Sequence, residues 1–346
     1  MDKVRQRLLI LSYAFAPSIG GIETVSDLLA RTFSHRGYEV TVITCISASG
    51  TASSEPFRVV RNPSWNSLIS EIWRADIVLQ SNLSLRISWP LWLFFPTKPF
   101  ILVHHTPLAR PEGRLAWQDR LKRWLLWRPY CLSVSAYLAR TIEVRSRIIP
   151  NPYASTVFRR MPEVDRNDDM LFVGRLVPAK GAETLLCAFP YILEHRPESS
   201  LMIVGDGPES GPLRELAKKL DIDWKVRFVG SKQGAELATL MNQHKILVIP
   251  SHSRPPEALS VVTLEGIACG SVPVASRQGG LPDAVGEAGL LFEEGNSHEL
   301  AHALLNLLDA PERLDYYRSK AEAHLRQFSP DVVADAYEFH FNACRR

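Results

Sequence analysis

The sequence predicts an α/β protein built as two Rossmann-like, doubly wound domains of parallel sheet facing each other across a cleft. Three observations carry this expectation. Short apolar runs alternate with helical patterns in two successive series. A proline-rich, charged stretch separates the series. The 346 residues are also more than twice what one domain of about 150 residues requires.

In the first series the runs Leu8 to Tyr13, Val40 to Thr44, Ile77 to Gln80, Phe100 to His104 and Cys131 to Ser133 read as buried strands. In the second, Met170 to Val173, Leu201 to Val204, Val226 to Val229, Ile246 to Ile249 and Val272 to Ala275 do the same, each followed by a Gly or Pro turn and usually a helix. The join is expected between Ile149-Pro-Asn-Pro-Tyr153 and Met170, where prolines and clustered charges interrupt both periodicities. This gives domains at 1–155 and 156–330. The tail 331–346 is expected to form a helix that packs back on the first domain through Val332, Val333, Ala336, Tyr337, Phe339 and His340.

Composition narrows the function. Hydrophobic residues make up 46% and charged residues 22%, which excludes a disordered or collagen-like chain. Cys45, Cys131, Cys187, Cys269 and Cys344 are odd in number and scattered, so neither a disulfide framework nor a zinc site is expected, and a reducing cytoplasm fits. Residues 1–150 carry 19 Lys+Arg against 10 Asp+Glu, and the remainder 21 against 27. A basic half beside an acidic one suggests an anionic partner for the first half. The basic start followed by Leu8 to Ala16 is read as a first strand and not a signal peptide. The apolar stretch Ile87 to Val103 is interrupted by Pro90, Pro96, Lys98 and Pro99, well short of the roughly 20 residues a spanning helix needs.

Four groups of residues can carry chemistry. Arg175 and Lys180 follow the strand ending at Val173, at the carboxyl end where open parallel sheets bind ligands, and a helix begins at Ala182. Two cations beside a helix N-terminus suit a diphosphate, although taken alone they read more readily as solvated loop charges. Glu257 and Glu265 flank a helix that Ser260 would cap, running to about Cys269. That spacing suits hydroxyls of a sugar and of a ribose, with the amides around Leu259 and Ser260 facing phosphate oxygens; taken alone, two such glutamates are usually surface charges. Gly20-Gly21 after the first strand lets backbone approach a phosphate, but it is not a dinucleotide fingerprint, and no Walker lysine occurs. His104-His105 ends another strand, one facing the cleft or both satisfied within the core.

Between Arg110 and Arg128, arginines and lysines are interleaved with Leu115, Trp117, Leu121, Trp124, Leu125, Leu126 and Trp127. This stretch reads either as a surface for an anionic membrane or as a helix with its apolar side in the core. No recognition module accompanies the charge, so nucleic acid is not expected.

Together, Gly20 to Glu23, His105-Thr106, Pro150-Asn151, Phe172 to Gly181, Val204 to Gly207, Glu257 to Glu265 and Gly279-Gly280 resemble glycosyltransferase family 4, of the GT-B fold. The resemblance runs from the first strand to about Gly295. It implies transfer of a sugar from a UDP- or GDP-linked donor with retention of configuration and without a bound metal or other cofactor. Arg175 and Lys180 would neutralise the leaving diphosphate. Glu257 would orient the sugar, Glu265 the ribose, and the amides near Gly21 and Ser260 the phosphates. His105 would contact the sugar and stabilise charge on it. Relatives suggest a polysaccharide, lipid-linked or glycolipid acceptor, with the protein peripheral at the inner face of the membrane. The sequence departs from the family at Ala258-Leu259-Ser260, where Gly-Phe-Gly is common, adding bulk where backbone would meet donor. Two other readings stand beside transfer: a nucleotide-sugar epimerase of the same fold, and a noncatalytic sugar-nucleotide-binding protein.

Overall fold

Leu8 to Leu11 are buried within β1 (Arg7–Ser12), an interior strand of a seven-stranded parallel sheet. The computed structural model describes residues 5–18, 20–47, 55–107, 117–142 and 144–344. β1 is followed by β2 (Glu39–Thr44), β3 (Arg58–Arg61), β4 (Ile77–Ser81), β5 (Phe100–His104), β6 (Tyr130–Ser133) and β7 (Arg147–Ile148). They lie in the order β3-β2-β1-β4-β5-β6-β7. The second sheet contains β8 (Asp168–Val173), β9 (Leu201–Val204), β10 (Val226–Phe228), β11 (His244–Ile249), β12 (Val272–Ser276) and β13 (Leu290–Phe292). Its order is β10-β9-β8-β11-β12-β13, again all parallel.

Both sheets are doubly wound, with the strand order reversing beside the first strand of each, between β1 and β4 and between β8 and β11. At such a reversal consecutive crossovers leave to opposite sides and open a crevice outside the strand carboxyl ends. The ten strands expected from apolar runs are present. β3, β7 and β13 are additional: they are short, lie at or beside sheet edges, and are largely half-exposed or exposed, so they carry no long apolar run.

The chain divides into one unit of residues 1–152 with 329–346, and another of 153–328, against expected joins after 155 and 330. The terminal helix, Pro330–Ala343, starts from Ser329, whose hydroxyl accepts from the Val332 amide. It buries Val333, Ala334, Tyr337 and Phe341, the rings of the last two lying 6.1 and 5.3 Å from that of Phe33. Val332 and Phe339, expected in the packing stripe, are exposed, because the apolar face is centred one residue further round the helix. Arg36 fastens the helix by donating to Asp335 Oδ1 at 2.7 Å and Asp331 O at 2.9 Å.

In the second unit, the helix after β8 runs from Ala182 to His195, through Pro190. Burial of Ile192 against the same core continues the apolar face beyond the proline.

Candidate functional site

The reversal between β8 and β11 brings together residues separated by about eighty positions. β8 runs into Gly174 and the exposed Arg175, and a single 3-10 turn, Pro178–Lys180, then presents Lys180. Gly181 closes that turn with φ of +66°, and a Cβ there would lie 1.9 Å from Pro250 O. Glycine is therefore required both by the left-handed conformation and by the approach of the segment following β11. That segment is further tied to the turn by the His252 amide, which donates to Ala179 O at 2.8 Å.

Glu257 is held by its backbone and its side chain. Its amide donates to Gln278 Oε1 at 3.2 Å, and its carbonyl accepts from the Gly280 amide at 2.7 Å. Gly279, with φ of +52°, packs so closely on this carbonyl that a Cβ would lie 2.3 Å from the oxygen. The carboxylate pairs with Lys180 Nζ and accepts from Ser251 Oγ at 3.1 Å. Upstream, Ser253 donates through both its amide and its hydroxyl to Glu294 Oε1. A carboxylate and an ammonium are thus fixed side by side at strand ends. Ser251 and Gln278 were not among the expected site residues; their place just beyond β11 and β12 was the available signal.

Ser260 caps the helix Val261–Ala268, its hydroxyl accepting from the Thr263 amide at 3.4 Å. The cap directs the helix N-terminus toward the same strand ends and leaves other first-turn amides without intrahelical acceptors. Leu259 and Ser260 are buried, and Ala258 is half-exposed. Glu265, within the helix, is also buried, and loss of hydration pushes its carboxyl up to about 8. It is held protonated at neutral pH.

In the first unit Gly20 and Gly21 stand at the start of the helix Gly21–His35. The φ of Gly20 is −177°, extended backbone open to any residue. A Cβ there would lie 2.4 Å from Glu23 Oε2, the movable end of a flexible side chain. A Cβ at Gly21 would meet nothing within 4 Å, leaving that side of the turn open. His105 follows β5, its amide donating to Asn82 Oδ1 at 2.7 Å. Its imidazole is buried, and desolvation, followed by the neighbouring His104, lowers it to about 3. A neutral ring offers a hydrogen bond. Among the described residues no group of three or more His, Cys, Asp or Glu is placed to hold a metal ion.

The basic stretch is described from Trp117 onward, so Arg110 and Arg114 lie outside the described residues. Leu125 and Leu126 are buried, whereas Trp124 and Trp127 are exposed, so neither expected reading holds for every apolar residue. No helix among the described residues is long and apolar enough to cross a membrane.

Residues 156–324, nearly the whole second unit, match the family described as glycosyl transferases group 1. The curated relatives include a D-inositol 3-phosphate glycosyltransferase of Corynebacterium glutamicum, 34% identical over 166 residues. That match covers 46% of this chain and 39% of the relative. A GDP-mannose-dependent monoacylated alpha-(1-6)-phosphatidylinositol monomannoside mannosyltransferase of the same species is 34% identical over 167 residues, covering 46% and 43%. The matched stretch therefore spans only about two-fifths of these relatives.

Solved structures extend the likeness over both units. HepE of Anabaena, in complex with UDP, superposes with a TM-score of 0.80 at 19% identity, covering 98% of this chain and all of that one. A glycosyltransferase of Rickettsia africae gives 0.81 at 17%, covering 99% of each. The fold is that of GT-B glycosyltransferases.

Proposed function

We propose that the protein is a retaining glycosyltransferase that moves a sugar from a nucleoside diphosphate sugar to a glycan or lipid-linked acceptor. The observation that carries this reading is the Lys180–Glu257 pair at the strand reversal of the second unit, within the segment matching group 1 glycosyl transferases. A diphosphate needs fixed cations, and a sugar ring needs a fixed hydrogen-bond acceptor beside them.

In the proposed reaction the bond between the anomeric carbon and the diphosphate oxygen breaks, its electron pair leaving on the diphosphate. Lys180 and Arg175 neutralise that charge, and Glu257 accepts from sugar hydroxyls. The acceptor oxygen forms its bond on the face the diphosphate leaves, and its proton passes to a phosphate oxygen. Glu265 takes the ribose hydroxyls, and amides near Leu259, Ser260, Gly20 and Gly21 take phosphate oxygens. His105 contributes a neutral hydrogen bond to the sugar.

HepE was solved with UDP, and the corynebacterial mannosyltransferase is named for GDP-mannose, so both bases merit trial. The latter's phosphatidylinositol acceptor supports a lipid-linked substrate and a place at the inner membrane face. The test is incubation with radiolabelled UDP- and GDP-sugars and a membrane lipid extract. Transfer of label, with the donor's anomeric configuration preserved by NMR, supports the reading. A new nucleotide sugar formed from donor alone indicates an epimerase instead, and binding without turnover a noncatalytic protein.

A further inference from the structure

Asn82 stands just past β4, one of the two strands flanking the reversal of the first sheet, and no step of the proposed transfer uses it. Its amide donates to Val103 O at 2.8 Å, continuing the pairing of Ser81 with Val103 by one bond. Its φ is +54°, in the left-handed region that asparagine enters more easily than most residues. The side chain turns across the end of β5. There a single atom, Oδ1, accepts from the His105 amide at 2.7 Å and from the Thr106 amide at 3.2 Å. Two N–H donors fix which end of the side-chain amide faces them, since only the oxygen accepts.

The residues around Asn82 are themselves tied down. Ser81 Oγ lies 3.1 Å from Ser26 Oγ, which lies 3.1 Å from Ser12 Oγ. This buried chain of hydroxyls joins the ends of β1 and β4 to the helix Gly21–His35. On the far side of β5 the Val134 amide donates to His104 O at 3.4 Å. The backbone that carries His105 is therefore held from both flanks.

The imidazole of His105 has no such anchor of its own. Both ring nitrogens are buried and without a hydrogen-bond partner among the described residues. A histidine that meets substrate is ordinarily aimed by a bond to its second ring nitrogen. Here the backbone does the aiming, and Asn82 sets the backbone.

We propose that Asn82 is a positioning residue, holding the His105-Thr106 turn so that the His105 ring is directed at the donor sugar. This rests on the transferase reading and on the part it gives to His105.

The test compares Asn82→Gly and Asn82→Asp in the full chain. Glycine keeps the left-handed conformation but has no acceptor, whereas aspartate keeps an oxygen at the same reach. Hydrogen exchange at the His105 and Thr106 amides, read by fragmentation mass spectrometry, is expected to quicken at least about tenfold in Asn82→Gly and to stay slow in Asn82→Asp. With a sugar donor that the wild type turns over, kcat is expected to fall at least about tenfold in Asn82→Gly and to stay within about threefold in Asn82→Asp. Affinities for UDP and GDP should be unchanged in both. In a His105→Ala background Asn82→Gly should cost little further, because the ring that Asn82 positions is already gone. Should Asn82→Gly fail to fold, slow exchange of the two amides in the wild type and in Asn82→Asp, with kcat kept, supports the clamp.

Fast exchange of these amides in the wild type, a folded Asn82→Gly with wild-type kcat, or an equal further loss in the His105→Ala background would each overturn the proposal and spare the transferase reading. So would Asn82→Asp as slow in turnover as Asn82→Gly with its amides protected, since the side chain would then touch substrate directly. Absence of turnover by the wild type with UDP- and GDP-sugars would overturn the transferase reading, and this proposal with it.

Discussion

Lys180 and Glu257, seventy-seven positions apart, form an ion pair beyond the adjacent strands β8 and β11. Each partner also has a role toward the proposed donor, so removing either should do more than break a salt bridge. Lys180→Ala or Glu257→Ala is expected to lower transfer at least a hundredfold, about 2.7 kcal/mol of barrier. Circular dichroism and melting should show a folded protein. Lys180→Ala should weaken nucleoside diphosphate binding, whereas Glu257→Gln should act mainly on the sugar-bearing donor.

Gly181 tests the architecture of the site. With φ of +66° and Pro250 O in the place of a Cβ, Gly181→Ala meets both an unfavourable conformation of about 1–2 kcal/mol and a backbone clash. The melting temperature should fall by roughly 4 °C or more. Gly211 has nothing within 4 Å of its Cβ position and lies in the helix Ser210–Lys219, so Gly211→Ala should be neutral or slightly stabilising.

Glu265 makes stability depend on pH. Its carboxyl titrates near 8 when folded but near 4.5 when unfolded, so as pH rises between these values the unfolded chain loses its proton first. This contribution lowers stability across that window and levels off above it. Glu265→Gln is therefore expected to gain melting temperature over the wild type above pH 8 but not below pH 4.5. If ribose hydroxyls donate to the carboxylate, nucleotide binding near neutral pH should release a proton, measurable by calorimetry in buffers of differing ionisation enthalpy.

His104 and His105 act in the opposite sense. Desolvation lowers them from 6.5 to about 4 and about 3, so the unfolded chain takes up protons first as pH falls. Their contribution is complete above pH 6.5 and is lost as pH falls toward their folded values. In urea titrations across this range His105→Gln should flatten the loss of stability. A steeper loss would contradict neutral burial of the ring.

The returning C-terminal helix should be integral to the first unit. Phe341→Ala removes a ring packed against Phe33 and Tyr38 and is expected to cost about 3–5 kcal/mol in chemical unfolding.

The parallel-sheet fold was legible because buried parallel strands are nearly continuous apolar runs, as Leu8 to Leu11 and Phe100 to Val103 are. The short strands β3, β7 and β13 offer no such run. Within the site, the cap at Ser260 and the helix after it were readable because a capping residue acts over three positions. The bonds from Ser251 and Gln278 to Glu257 were not, since they depend on how the segments after two strands fold against each other. Replacement of Gly-Phe-Gly by Ala258-Leu259-Ser260 suggested obstruction of the donor. Of the two added side chains, Ser260 turns its hydroxyl to the Thr263 amide as the helix cap, while Ala258 stays half-exposed.

Calorimetric titration of the full chain with UDP and GDP, alongside Lys180→Ala and Arg175→Ala, is the most direct test of diphosphate binding by the second unit. At least one nucleotide should bind the wild type, and each substitution should weaken that binding tenfold or more, about 1.4 kcal/mol. Binding of neither nucleotide to the folded wild type, or unchanged affinity in both folded variants, would contradict the assignment of these two cations to the leaving group.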